Sequence, residues 1–214
     1  MLRRILNIAR GTPPIASRGD LVDFLDSRGA FLVQKNIMDY ARGRSGPHFT
    51  ALMKEADFND ALTQSRWSLY PLGVTMVTEM LDSFLRAGGY RVDGFAELAA
   101  EAFDRHTPPP SIAPEAWTAA RAALIAHAVQ IPARAAKPVK DIPFAYSQAV
   151  FDALPFHDAR KSNDFALVQA NLRSNLLAMH ENLAARTSPA HMATLIAGGG
   201  APSAPAAAEL LFPS

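Results

Sequence analysis

The chain has 214 residues, 49% of them hydrophobic and 19% charged, and 21 Lys plus Arg against 20 Asp plus Glu give a formal charge of +1. That length suits one domain with a sizeable core, and so apolar a composition argues against a disordered body. A near-neutral charge offers no global field to draw in nucleic acid or anionic lipid. The absence of cysteine excludes disulfides, thiolate metal sites and a cysteine nucleophile.

The first segment, residues 1–19, is basic: arginines stand at 3, 4, 10 and 18 with no acid before Asp20. Its apolar stretch is too short and too polar for a secretory signal. It reads as a basic arm or short helix, and residues 1–10 offer at most weak peripheral contact with a membrane surface. No apolar run reaches the roughly 18 residues of a membrane span, and the cytoplasm is the default location.

From Asp20 the pattern turns helical. Asp20 suits an N-cap, with Asp23 and Asp26 near the positive end of the helix dipole. Val33, Ile37, Tyr40 and Ala41 hold one buried stripe, and Gly29 is a point where this segment can divide. "GRSGPH", 43–48, then reads as a helix stop followed by a start. Gly43 or Gly46 suits the left-handed position, Ser45 a cap and Pro47 a first turn. Gly43-Arg44-Ser45-Gly46-Pro47 approaches a nucleophile elbow but carries proline where the strained turn needs glycine.

A second long helix is expected from Asp57 to Ala87, with a kink at Pro71 and a stop at Gly88-Gly89. A shorter helix follows over 95–105. The next begins after "TPPPS" with Pro114 in its first turn and Trp117, Ala120, Leu124, Ala128 and Ile131 on one face. Residues 132–143 read as a connector, and 107–143 as the one plausible sub-boundary within the domain spanning 20–196. Helices over 144–154 and 160–186 complete the body. The last places Phe165, Val168, Leu172, Leu176, Met179 and Leu183 on a single stripe. No alternating strand pattern appears, so the fold class is all-α, one helical domain of six to eight helices. Residues 197–214 form a tail of linker composition that ends in apolar Leu210, Leu211 and Phe212.

Chemical signatures are mostly absent. There is no Walker loop, no GxGxxG after a strand, no HExxH and no Glu-x-x-His; no metal or cofactor is expected. Glu97, Glu101 and Asp104 share a face and read as a solvated acidic stripe. His127 reads as a hydrogen-bonded core or boundary residue. Two polar constellations remain. The first is Lys35, Arg42, Arg44 and His48 with Arg66, Trp67 and Tyr70, beside Asp39 and Glu55. An antiparallel hairpin through 43–48 would bring arginine forks and aromatic walls together, an arrangement suited to a carboxylate, a phosphate or an acidic segment. The alternative is a salt-bridge network. The second comprises Asn171 and Asn175, one turn apart beside an apolar stripe, as at the rim of a partner surface.

The leading expectation is a non-catalytic helical protein acting through protein contacts or self-association, as an adaptor, assembly factor or regulator. The tether ending in Leu210, Leu211 and Phe212 is a candidate partner-binding element. A small anionic-ligand protein or an enzyme with a site between the helices around 33–44 and 57–70 is the alternative.

Overall fold

The structure is a computed structural model that describes residues 13–156, 161 and 164–198. Among these residues the regular elements are all helical: α1 (Arg18–Ser45), α2 (Phe49–Leu52), α3 (Ala56–Ala87), α4 (Phe95–Phe103), α5 (Pro114–Gln130), α6 (Ser147–Asp152), α7 (Phe165–Ala184) and α8 (Pro189–Ile196). Short 3-10 turns cover Gly46–His48 and Val139–Ala145. The expected all-α single domain is what forms. The basic segment 1–12 and the tail 199–214 lie outside the described residues.

Helix α1 starts earlier than expected. Ser17 is its N-cap: the Ser17 hydroxyl accepts from the Asp20 amide at 3.1 Å, and the Asp20 carboxylate accepts from the Ser17 amide at 2.9 Å. Asp20 is therefore the third residue of a reciprocal capping box, not the cap itself. Hydrogen bonds that the Asp20 carboxylate accepts from the Ser17 hydroxyl and from the Ala16 and Ser17 amides hold its carboxyl below the usual range. Gly29 does not divide the helix. Gly46, at φ +50°, ends it by donating its amide to the Arg42 carbonyl, while Gly43 stays helical and Ser45 caps nothing with its side chain.

The two longest helices, α1 and α3, pack extensively on one another and form the spine. The expected stripe Val33, Ile37, Tyr40 and Ala41 on α1 is buried, as are Leu62, Leu69, Met76 and Met80 on α3. Pro71 lies inside α3, which runs on to Ala87. Helices α4 and α5 pack on one another and on this spine, α7 lies against α1 and the 139–145 turn, and α8 packs on α3. One apolar cluster includes side chains from α1, α3, α4, α5, α6, α7 and α8. On α7 the stripe Val168, Leu172, Leu176, Met179 and Leu183 is buried, and Phe165 is only half-buried. Helix α8 was not expected. Its Ser188 accepts from the His191 amide and Pro189 occupies its first turn, both ordinary start signals that a short helix makes easy to miss.

Candidate functional site

The seven residues of the first constellation divide into two groups. Lys35 pairs with Asp39 on α1 at 2.7 Å. Arg42 is exposed, its guanidinium 5.5 Å above the Phe49 ring. Arg44 pairs with Asp164 at 3.1 Å, and His48 is exposed on the 3-10 turn. Ten residues, 46–55, separate α1 from α3, so these groups crown one end of α1 and do not form the mouth of a tight hairpin.

Arg66, Trp67 and Tyr70 do come together. With Ala30 and Val33 of α1 and His106, just beyond α4, they line a pocket of about 110 Å³. Its walls are aromatic: the Trp67 ring stands edge-on to His106 at 5.3 Å and to Trp117 at 5.8 Å, and Tyr70 stands edge-on to His106 at 5.1 Å. Behind the wall lies Asp26. It accepts from the Tyr70 hydroxyl at 2.8 Å and bonds His106 Nε2 at the same distance, with Arg105 4.0 Å away. A carboxylate can only accept, so Nε2 carries the proton, and Nδ1 is left without a hydrogen bond among the described residues. Burial and the Asp26 contact push the Tyr70 phenol well above its ordinary range. Arg66 is exposed and has neither an ion pair nor a side-chain hydrogen bond among the described residues.

A second polar cluster, not expected as a site, surrounds Glu79. This buried carboxylate of α3 bonds His127 Nε2 of α5 at 2.8 Å and accepts from the Tyr146 hydroxyl at 2.6 Å and from Lys137 Nζ at 3.1 Å. Burial pushes the Glu79 carboxyl up, but these three hydrogen bonds outweigh it and hold the group below its ordinary value. One turn on, Asp82 accepts from Arg86 Nε at 2.8 Å, and Arg86 Nη2 reaches the carbonyls of Ile131 and Pro132 at 3.0 Å each. Because every member already has a partner, the cluster works as a clamp that fixes residues 131–137 to α3. Two acids within the apolar run "GVTMVTEMLDSF" were the signal that could have marked it.

The second constellation lies on α7. Asn171 and Asn175 are half-buried, beside an exposed face that carries Leu167, Arg173 and Leu177. A groove of about 380 Å³ on this face is lined by Phe144, Ala166, Ala170, Arg173, Ser174 and Leu177, with Gln169 beside them. Leu210, Leu211, Phe212 and residues 1–10 lie outside the described residues.

No family model, curated protein or solved structure matches the chain. Among the described residues, no helix is long and apolar enough to cross a membrane.

Proposed function

We propose that the chain is a non-catalytic helical protein that acts through protein contacts, with the exposed face of α7 as the contact surface and a second copy of the chain as its occupant. The observation that carries this reading is the order Arg173, Leu177, Glu181, spaced four residues apart on one helical face. Neither charge has an ion pair among the described residues. Leu177 between them is 37% exposed, and Phe144 and Leu167 nearby are 48% and 50% exposed.

A two-fold axis across α7 at Leu177 makes this face self-complementary. It lays Leu177 against the partner's Leu177 and sets each Arg173 beside the partner's Glu181, the reciprocal arrangement an isologous interface requires. Apolar side chains left in water favour such burial, and the flanking charges fix its register.

Sedimentation equilibrium of the full chain tests the reading. A dimer is expected, with Arg173→Glu raising its dissociation constant by about tenfold or more and the exchange Arg173→Glu with Glu181→Arg restoring it. A full chain that remains monomeric at about 100 µM, or a charge exchange that restores nothing, removes α7 as a self-association surface.

A further inference from the structure

We infer that the pocket between α1 and α3 is a binding site for a small planar carboxylate, a single ring bearing one negative charge. The inference is independent of the α7 surface, which shares no residue with it.

The pocket has three properties that together select such a ligand. Its size, about 110 Å³, is on the scale of a cavity that holds one benzene-sized ring. Its lining is Ala30 and Val33 with the aromatic side chains Trp67, Tyr70 and His106, which suit a flat apolar body. Its one charged group free of an ion pair is the Arg66 guanidinium, whose fork matches the two oxygens of a carboxylate. A phosphate would set up to two charges against this single cation, among side chains that offer little else polar.

Asp26 lies behind the lining, and Arg105 at 4.0 Å offsets part of its negative charge. Tyr70 and His106 already engage it. The same contacts fix the His106 ring and leave Nδ1 as its unbonded nitrogen. Elsewhere on the molecule, the Glu79 cluster is closed by its own partners. The broad depression beside Glu97, Glu101 and Asp104 is acidic and open, with Arg18 and Arg121 paired to its carboxylates. The groove on α7 also carries a charge without an ion pair, Arg173, but it is the more open of the two, whereas Arg66 stands beside an apolar, aromatic lining.

Titration of the full chain with sodium benzoate, followed by the two tryptophan indole N–H signals in nitrogen–proton correlation spectra, tests the assignment. Saturable shifts with a midpoint of about 1 mM or lower are expected, with benzamide and benzylamine each weaker. Arg66→Gln, a change at an exposed position that leaves the fold intact, weakens benzoate by about tenfold or more. Ala30→Leu, which adds bulk at a lining position, abolishes the shifts while circular dichroism stays unchanged. The proposal is overturned by non-saturating shifts, by equal affinity for benzamide or benzylamine, or by undiminished binding to the Arg66→Gln chain.

Discussion

Gly29 and Gly73 touch backbone to backbone where the two longest helices cross. A Cβ on Gly73 would run into the Gly29 carbonyl, and one on Gly29 would lie 2.9 Å from the Val74 amide nitrogen. Neither neighbour can yield without moving a helix. This contact sets the depth of the crossing and, with it, the gap beside Ala30, Val33 and Tyr70. Gly73→Ala is expected to destabilise the chain by about 1–3 kcal/mol, read as a lower urea midpoint. Gly43→Ala is the control, since its added methyl group meets open space within a helix. It should stabilise by about 0.5–1 kcal/mol, and equal effects of the two changes would refute the close crossing.

Glu79 gives the fold a defined response to acid. Its folded-state carboxyl sits below the ordinary value of 4.5, so its contribution is fully present above that pH and is lost as pH falls through the folded value. Asp82 acts in the opposite sense. Burial, outweighing the Arg86 contact, raises it above 3.8, so its contribution is present below 3.8 and lost as pH rises through the raised value. Glu79→Gln should cost about 1–3 kcal/mol at pH 7 by urea denaturation, and this gap should shrink as pH drops below 4.5. A gap that stays constant down to pH 3 would assign the loss to packing instead.

Tyr40 supplies an alkaline counterpart. Burial and the 2.9 Å hydrogen bond to Asp164 push its phenol up to about 12. A folded value above the ordinary 10.0 means stability that is complete below pH 10 and declines as pH rises towards 12. Tyr70 and Tyr146 are raised in the same sense by burial and by Asp26 and Glu79. Ultraviolet phenolate titration should therefore show these three of the four tyrosines resisting ionisation until the chain unfolds. Tyr40→Phe should lower stability at pH 7 by about 1 kcal/mol and flatten the alkaline decline. Three tyrosines titrating together near pH 10 in the folded chain would contradict this placement.

Arg18 anchors α8. Its Nη1 donates to the Ile196 carbonyl at 2.9 Å and its Nη2 to Glu101 at 2.7 Å, which ties the first turn of α1 to both α8 and α4. The Arg18→Met chain should keep its overall fold but lose amide exchange protection selectively in residues 189–196. Unchanged protection there would mean that apolar contacts through Met192 and Ile196 hold α8 without the arginine.

The helices were legible in the sequence because each long one carries a complete 3.6-residue stripe. Val33, Ile37 and Tyr40, or Val168, Leu172 and Leu176, need no partner to be recognised. Two local signals pointed the wrong way. Asp20 resembles a cap but is the other half of a box begun by Ser17. Gly29 resembles a break because its purpose, room for Gly73, lies 44 residues away. The grouping of Arg66, Trp67 and Tyr70 follows from spacing along one helix. His106 completes that pocket from beyond α4, held by Asp26 of α1 behind it, a convergence set by the helix crossing that no short-range pattern encodes. Glu79 meets His127, Lys137 and Tyr146 in the same non-local way.

The anchoring at Arg18 has a topological consequence. Arg18 grips the carbonyl of Ile196, while the Ile15 amide donates to the Arg186 carbonyl at 3.1 Å and Arg186 Nε to the Pro13 carbonyl at 2.8 Å. The two extremities of the described body are thus stitched side by side, and the backbone traces an almost closed ring. A ring can be opened elsewhere. Bridging the extremities with a few glycines and cutting the chain in the exposed, proline-rich stretch 107–111 would leave every helix whole in a circularly permuted protein.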